Sequence, residues 1–189
     1  MLKFWNTKAD RARQKAALAL YAVSAKDARE PRLYTELGVP DTFDGRFDAL
    51  ALYVALMLVR LNGQGQAADA LARELSSLFV ADMDRTMRES GVGDLSVGKH
   101  VKRMAAAMLG RMEAYGAALA EESAGDALVD ALTRNIWRGK PPAGDQPAAL
   151  AGEVRACWTR LGSVPLDDLL DGRISGAGTS ADDGAENGI

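Results

Sequence analysis

Apolar residues recur at helical spacing along most of the chain, and polar breaks divide that pattern into elements. An alanine-rich first helix is expected from Thr7 to Arg29, stopping before Pro31 because a residue preceding proline is pushed out of the α region. A short turn, Leu33–Leu37, ends at Gly38. Asp41 or Thr42 then caps a second helix that continues to the stop signal Asn62-Gly63. From Leu50 to Leu61 this helix is apolar nearly all round, which marks it as the buried centre of the fold. Further helices are expected over Gln66–Ser90, Leu95–Glu121, Asp126–Trp137 and Ala148–Leu161, with the short turn LDDLL after Pro165. No segment shows the two-residue alternation of a half-buried strand. The expected fold class is all-α, a single-domain bundle of about six helices. Its boundaries are a basic and apolar segment at 1–17, a helical domain at 18–174 with a linker at 139–147, and a disordered acidic tail at 175–189.

Composition narrows the function classes. A length of 189 residues suits one domain with a real core, and 48% hydrophobic with 26% charged residues is ordinary for a globular protein. The net charge of −3 argues against nucleic acid as a specific ligand. Residues 141–189 hold Arg155, Arg160 and Arg173 against eight acids, so the rest of the chain is close to neutral. Cys157 is alone, which suits a reducing compartment. No apolar run approaches the roughly 20 residues of a membrane span, and the start is too polar after Trp5 for a secretory signal. The expected location is cytoplasmic. Leu2, Phe4 and Trp5 alternate with Lys3, Lys8, Arg11, Arg13 and Lys15, a mixture suited to peripheral contact with the inner membrane or to a frayed terminus.

The segment FVADMDRTMRESGVGDLSVGKHVKRMAAAMLGRMEAY, residues 79–115, spends polarity where a plain helical hairpin would not. Ala68, Leu71, Leu75, Leu78, Phe79 and Met83 share one helix face, and Asp82 falls in the middle of it. A lone buried carboxylate costs several kcal/mol, so Asp82 is expected to pair with Arg111 or Arg46, the alternative being a place at the solvent-open end of a groove. The next helix presents Val97, Val101, Met104, Met108, Met112, Tyr115 and Leu119 as its apolar face, with Arg111 at the edge. Arg46, Tyr53 and Arg60 stand at successive sevens on the central helix. Gly91 is expected in a left-handed turn, since only glycine adopts that conformation without strain.

Catalytic motifs fail on inspection. Gly93 to Lys99 has the glycine and lysine spacing of a phosphate-binding loop, but His100 stands where a magnesium-holding Ser or Thr is needed. Ser96-Val-Gly-Lys99 matches S-x-x-K without the companion motifs. One histidine, His100, and no Glu-x-x-His pair leave no metal or di-iron set, so no cofactor is expected.

LYTELGVPDTFDGRFDAL, the run DMDxxxRExGVGDLxVGKxVKxM from Asp82 to Met104, and GRMEAY from Gly110 to Tyr115 together resemble the ubiquinol–cytochrome c chaperone family. The resemblance covers roughly Leu18 to Trp137. Two departures are Met108-Leu109, where the family often has an aromatic pair, and Tyr53, where it often has histidine. The resemblance implies a non-enzymatic assembly chaperone whose client is newly made cytochrome b of respiratory complex III. Mitochondrial members act with a small partner protein and near the ribosome, and those two partners do not follow for this chain from the resemblance. Asp84, Arg88, Glu89, Asp94, Lys99 and Lys102 are the residues expected to orient the client, because they project from the outer faces of two helices. Asp82, Arg111 and Arg46 are expected to serve structure. A competing reading, a helical isoprenoid- or quinone-binding protein or enzyme, would rest on Asp82 and Asp84 in place of an aspartate-rich motif.

Overall fold

Thr7 starts the first helix with a capping box: its hydroxyl accepts from the Asp10 backbone N–H at 3.1 Å, and Asp10 accepts from the Thr7 N–H at 3.0 Å. A computed structural model describes residues 7–89, 94–120 and 125–174, and it carries side-chain detail for most of them. Helix α1 spans Lys8–Asp27, α2 Pro31–Thr35, α3 Phe43–Leu61, α4 Gln66–Glu89, α5 Asp94–Ala120, α6 Gly125–Ile136, α7 Gln146–Ser163 and α8 Leu166–Leu170. No strand occurs among the described residues, and the fold is an all-α bundle of six longer helices and two of five residues. The boundary expected at residue 17 falls inside α1, and the acidic tail at 175–189 lies outside the described residues. The Gly91 turn lies outside them too.

Helix α3 is the hub. Every residue from Ala51 to Leu58 is buried, which is what an apolar surface on all sides requires. It packs against α1, α4, α5, α6 and α7. Its start is fixed by Thr42, whose hydroxyl accepts from the Gly45 N–H at 3.1 Å. Gly45 is irreplaceable for a different reason: a Cβ there would stand 2.0 Å from the Pro40 carbonyl oxygen. The loop ahead of it is held by Trp137, whose indole N–H donates to the Gly38 carbonyl at 2.7 Å. Gly38 has φ +71 and so occupies the left-handed region that suits glycine.

Helices α1 and α4 pack on each other and on α3, while α5 and α6 cover its other side. Of the methionine stripe on α5, Met108 is buried and Met112 half-buried, so that described part of the stripe is core. Ser96 to Lys99 lie within α5, so the glycine-lysine spacing read there forms helix and no phosphate loop. No helix among the described residues is long and apolar enough to cross a membrane.

Candidate functional site

The buried ion pair of this fold uses an acid that the sequence pattern did not single out. Arg111, on α5, donates through Nη2 to Asp48 on α3 at 2.5 Å, and Asp48 is only 3% exposed. Arg138, just past α6, reaches Asp48 at 3.6 Å and Asp44 at 2.8 Å. The Arg111 guanidinium also lies 5.9 Å from the centre of the Phe47 ring. Burial pushes the Asp48 carboxyl up to about 6, with Arg111 and Arg138 only partly opposing it. Arg111 Nε and the Tyr115 hydroxyl are buried with no hydrogen-bond partner among the described residues. Burial pushes the Tyr115 hydroxyl up to about 12.

Asp82 therefore pairs with neither expected arginine. It accepts from the Tyr21 hydroxyl of α1 at 2.7 Å and bonds Arg85 one turn along α4. Its side chain stays 25% exposed. Arg46, the other expected partner, is tied to Asp41 at 2.6 Å on the surface and lies 5.8 Å from the Tyr34 ring centre. The reason is geometric. Arg111 faces α3, and the acid of α3 that meets it is Asp48, whereas the middle of α4's apolar face at Asp82 meets α1 and a groove. Tyr53 and Arg60 part company as well: Tyr53 is buried, and Arg60 donates to the Val164 carbonyl at 3.0 Å.

That groove is the main apolar opening on this side of the fold. It encloses about 500 Å³ and is lined by the end of α1, by α2, by the first turns of α3 and by Asp82, Met83 and Thr86 of α4. Tyr34, Phe43, Phe47 and Leu50 supply apolar surface, and Phe43 is 57% exposed, unusual for so large an apolar side chain. Arg29, Arg46, Asp41 and Asp82 set both signs of charge around it.

The residues expected to orient a partner divide between two faces. Arg88 donates to Asp84 at 2.9 Å along α4. This pair stands two residues on from Asp82 and Thr86, about 200° round the helix, so it faces away from the groove. Asp84 instead borders a shallow depression with Ser76, Ser77, Val80 and Ala81. Glu89 is exposed and lies seven residues from Asp82, on the groove's side of α4. Asp94, Lys99 and Lys102 lie on the first turns of α5, and their side chains are outside the described set. Sequence reasoning expected an apolar groove beside the charged residues but did not place it between α1, α2, α3 and α4 or give Phe43 a part in it. Phe43, a large apolar residue at the first position of α3 directly after the cap Thr42, is a signal in the chain that points to it. No group of His, Cys, Asp and Glu suited to a metal occurs among the described residues.

Comparisons with known proteins agree with one another. The family model described as ubiquinol-cytochrome C chaperone matches residues 35–176. A solved structure described as the Cbp3 homolog from Brucella abortus is similar at 38% identity and a TM-score of 0.78, over 87% of this chain and 90% of that one. No curated protein sequence matches. With one family model across most of its length and a relative of this identity, the chain belongs to the ubiquinol-cytochrome C chaperone family, a family of non-catalytic assembly factors.

Proposed function

We propose that this chaperone holds newly made cytochrome b for assembly into respiratory complex III, and that the groove between α1, α2, α3 and α4 is where it grips an apolar segment of that client. The single observation that carries the assignment of the site is the exposed Phe43 at the mouth of an apolar groove ringed by charges of both signs. An aromatic anchor buried on binding supplies affinity, and rim charges supply orientation and rate of encounter. Asp84, Arg88 and Glu89 on α4, with Asp94, Lys99 and Lys102 at the start of α5, form the proposed orienting surface on either side of the connection between these helices. Ala16 and Ala17 are buried in the core, so the proposed working unit takes in all of α1 and runs to 174, with the basic and apolar segment ahead of α1 contacting the inner membrane peripherally from the cytoplasmic side and 175–189 as an acidic tail.

A deletion strain complemented with variants tests this. Loss of the gene is expected to lower complex III and its b-type heme signal while sparing other respiratory complexes. Phe43→Glu is expected to reproduce most of that loss with the helical fold intact. A Lys99→Glu, Lys102→Glu double variant is expected to give a partial loss. Wild-type complex III in cells carrying Phe43→Glu would move the binding surface away from the groove.

A further inference from the structure

One face of α1 is left uncovered by the other described helices. Lys8, Arg11, Lys15, Leu18, Ala22 and Lys26 are all exposed, and at 100° per residue they fall within about 80° of one another. The flanks of the helix are taken. Tyr21 and Ala25 turn to α4 and the groove, and Val23 and Asp27 to a cavity walled by α7. No acid of α1 shares the open face: Asp10 is held by Arg13 at 2.5 Å, and Asp27 lines that cavity. Lys8, Arg11 and Lys15 make no ion pair among the described residues. Residues 1–29 hold seven cations against Asp10 and Asp27, in a chain whose net charge is −3.

The end of α8 abuts α1 beside this face, and a Cβ at Gly172 would come within 2.8 Å of the Ala16 Cα. Two acids there are already matched, because Arg173 holds Asp168 at 2.7 Å and Asp171 at 2.8 Å. Leu18 is 58% exposed, with Lys15 three residues before it and Arg11 seven before. Cations around an exposed leucine suit an anionic bilayer. The leucine enters the acyl boundary, while the lysine and arginine stems lie along it and leave their charges at the phosphates. A nucleic acid would draw on the cations and leave Leu18 in water.

We propose that this face of α1 docks on an anionic phospholipid bilayer, with Lys8, Arg11 and Lys15 against the headgroup phosphates and Leu18 in the interface. The docking rests on the peripheral contact proposed above, and it adds the helix surface, the lipid class and an orientation. Ala25, which lines the groove, stands seven residues and about 20° round α1 from Leu18. A bilayer against Leu18 therefore lies beside the mouth of the groove, where an apolar membrane segment would be taken up or released.

Flotation of the full chain with vesicles tests this without any client, so its failure leaves the client reading standing. Vesicles of phosphatidylcholine mixed with phosphatidylglycerol are expected to bind at least about tenfold more tightly than phosphatidylcholine alone, and less so at high salt. Lys8→Gln, Arg11→Gln and Lys15→Gln together should weaken binding about a hundredfold at low salt. Leu18→Gln should weaken it about fivefold, with helical content unchanged in both variants. The same loss of charge at Arg73, Arg134 and Lys140, exposed on α4, on α6 and beyond α6, should change binding by less than about twofold. Phe4→Ser with Trp5→Ser should leave a binding that still falls when the three α1 cations are replaced. Equal binding to the two vesicles overturns the proposal, as does an equal loss in the two triple variants. So does a Leu18→Gln variant that binds like wild type, which would leave charge alone and suit a nucleic acid, or complete loss of binding in the Phe4, Trp5 variant.

Discussion

Asp48 and Asp82 are both acids set among apolar helix residues, and the fold treats them in opposite ways. Asp48 sits on the hub helix, is closed in by α5 and the end of α6, and has two arginines for company. Asp82 sits where α4 passes α1, keeps a quarter of its side chain in solvent, and has a tyrosine hydroxyl and a local arginine. Depth decides the difference. A carboxylate enclosed on all sides needs a full counter-charge, and holding such a pair fixes how α3, α5 and α6 meet. A carboxylate at a groove edge needs only a hydrogen bond and water, and it remains available to a partner.

Breaking the deep pair should have the largest effect. Arg111→Met leaves Asp48 with Arg138 at 3.6 Å as its remaining cation, and the expected loss is about 3 kcal/mol or more in urea unfolding at neutral pH. A loss below about 1 kcal/mol would place the pair among weakly coupled surface bridges.

The pair also has a pH signature. Folding raises the Asp48 carboxyl from 3.8 to about 6, so the folded chain binds its proton more tightly than the unfolded chain does. Stability from this group is therefore full below the unfolded value and is lost as pH rises through about 6, a change of up to about 3 kcal/mol. Asp48→Asn removes that titration. The difference in unfolding free energy between wild type and Asp48→Asn should shift in the variant's favour from pH 4 to pH 7, and a flat difference would show that Arg111 cancels the burial.

At the groove edge the effects shrink. Tyr21→Phe removes the hydroxyl that Asp82 accepts from at 2.7 Å, and water can replace it, so the expected cost is about 1 kcal/mol. A cost matching Arg111→Met would mean that Asp82 is as structural as Asp48.

Helix ends were legible in the chain because local chemistry sets them. Thr42, Pro31, Gly38 and the Asn62-Gly63 stop each act within a turn of their own position: α3 begins after Thr42 and ends before Asn62, Pro31 opens α2, and Gly38 takes the left-handed turn beyond it. Asp48 was hidden for the opposite reason. It stands two residues before the continuous apolar run at Leu50, so it read as the polar entry to that helix, and its partner lies 63 residues away. Tyr21 and Asp82, 61 residues apart, are joined only by the way α1 crosses α4. A helical wheel tells which residues share a face; it does not tell how much of that face the neighbouring helices leave open. The groove and the exposure of Phe43 belong to that second kind of fact.

The central claim is that the groove, and no other apolar surface, holds the client. Photo-crosslinking in living cells tests it most directly, with a photoreactive side chain at Phe43 in one strain and at Thr159 in another. Thr159 is an exposed position on α7, which lines no part of the groove. The expected result is a crosslink from position 43 to newly made cytochrome b and none from position 159. Crosslinks of equal yield from both positions, or none from position 43 in cells that assemble complex III normally, would contradict it.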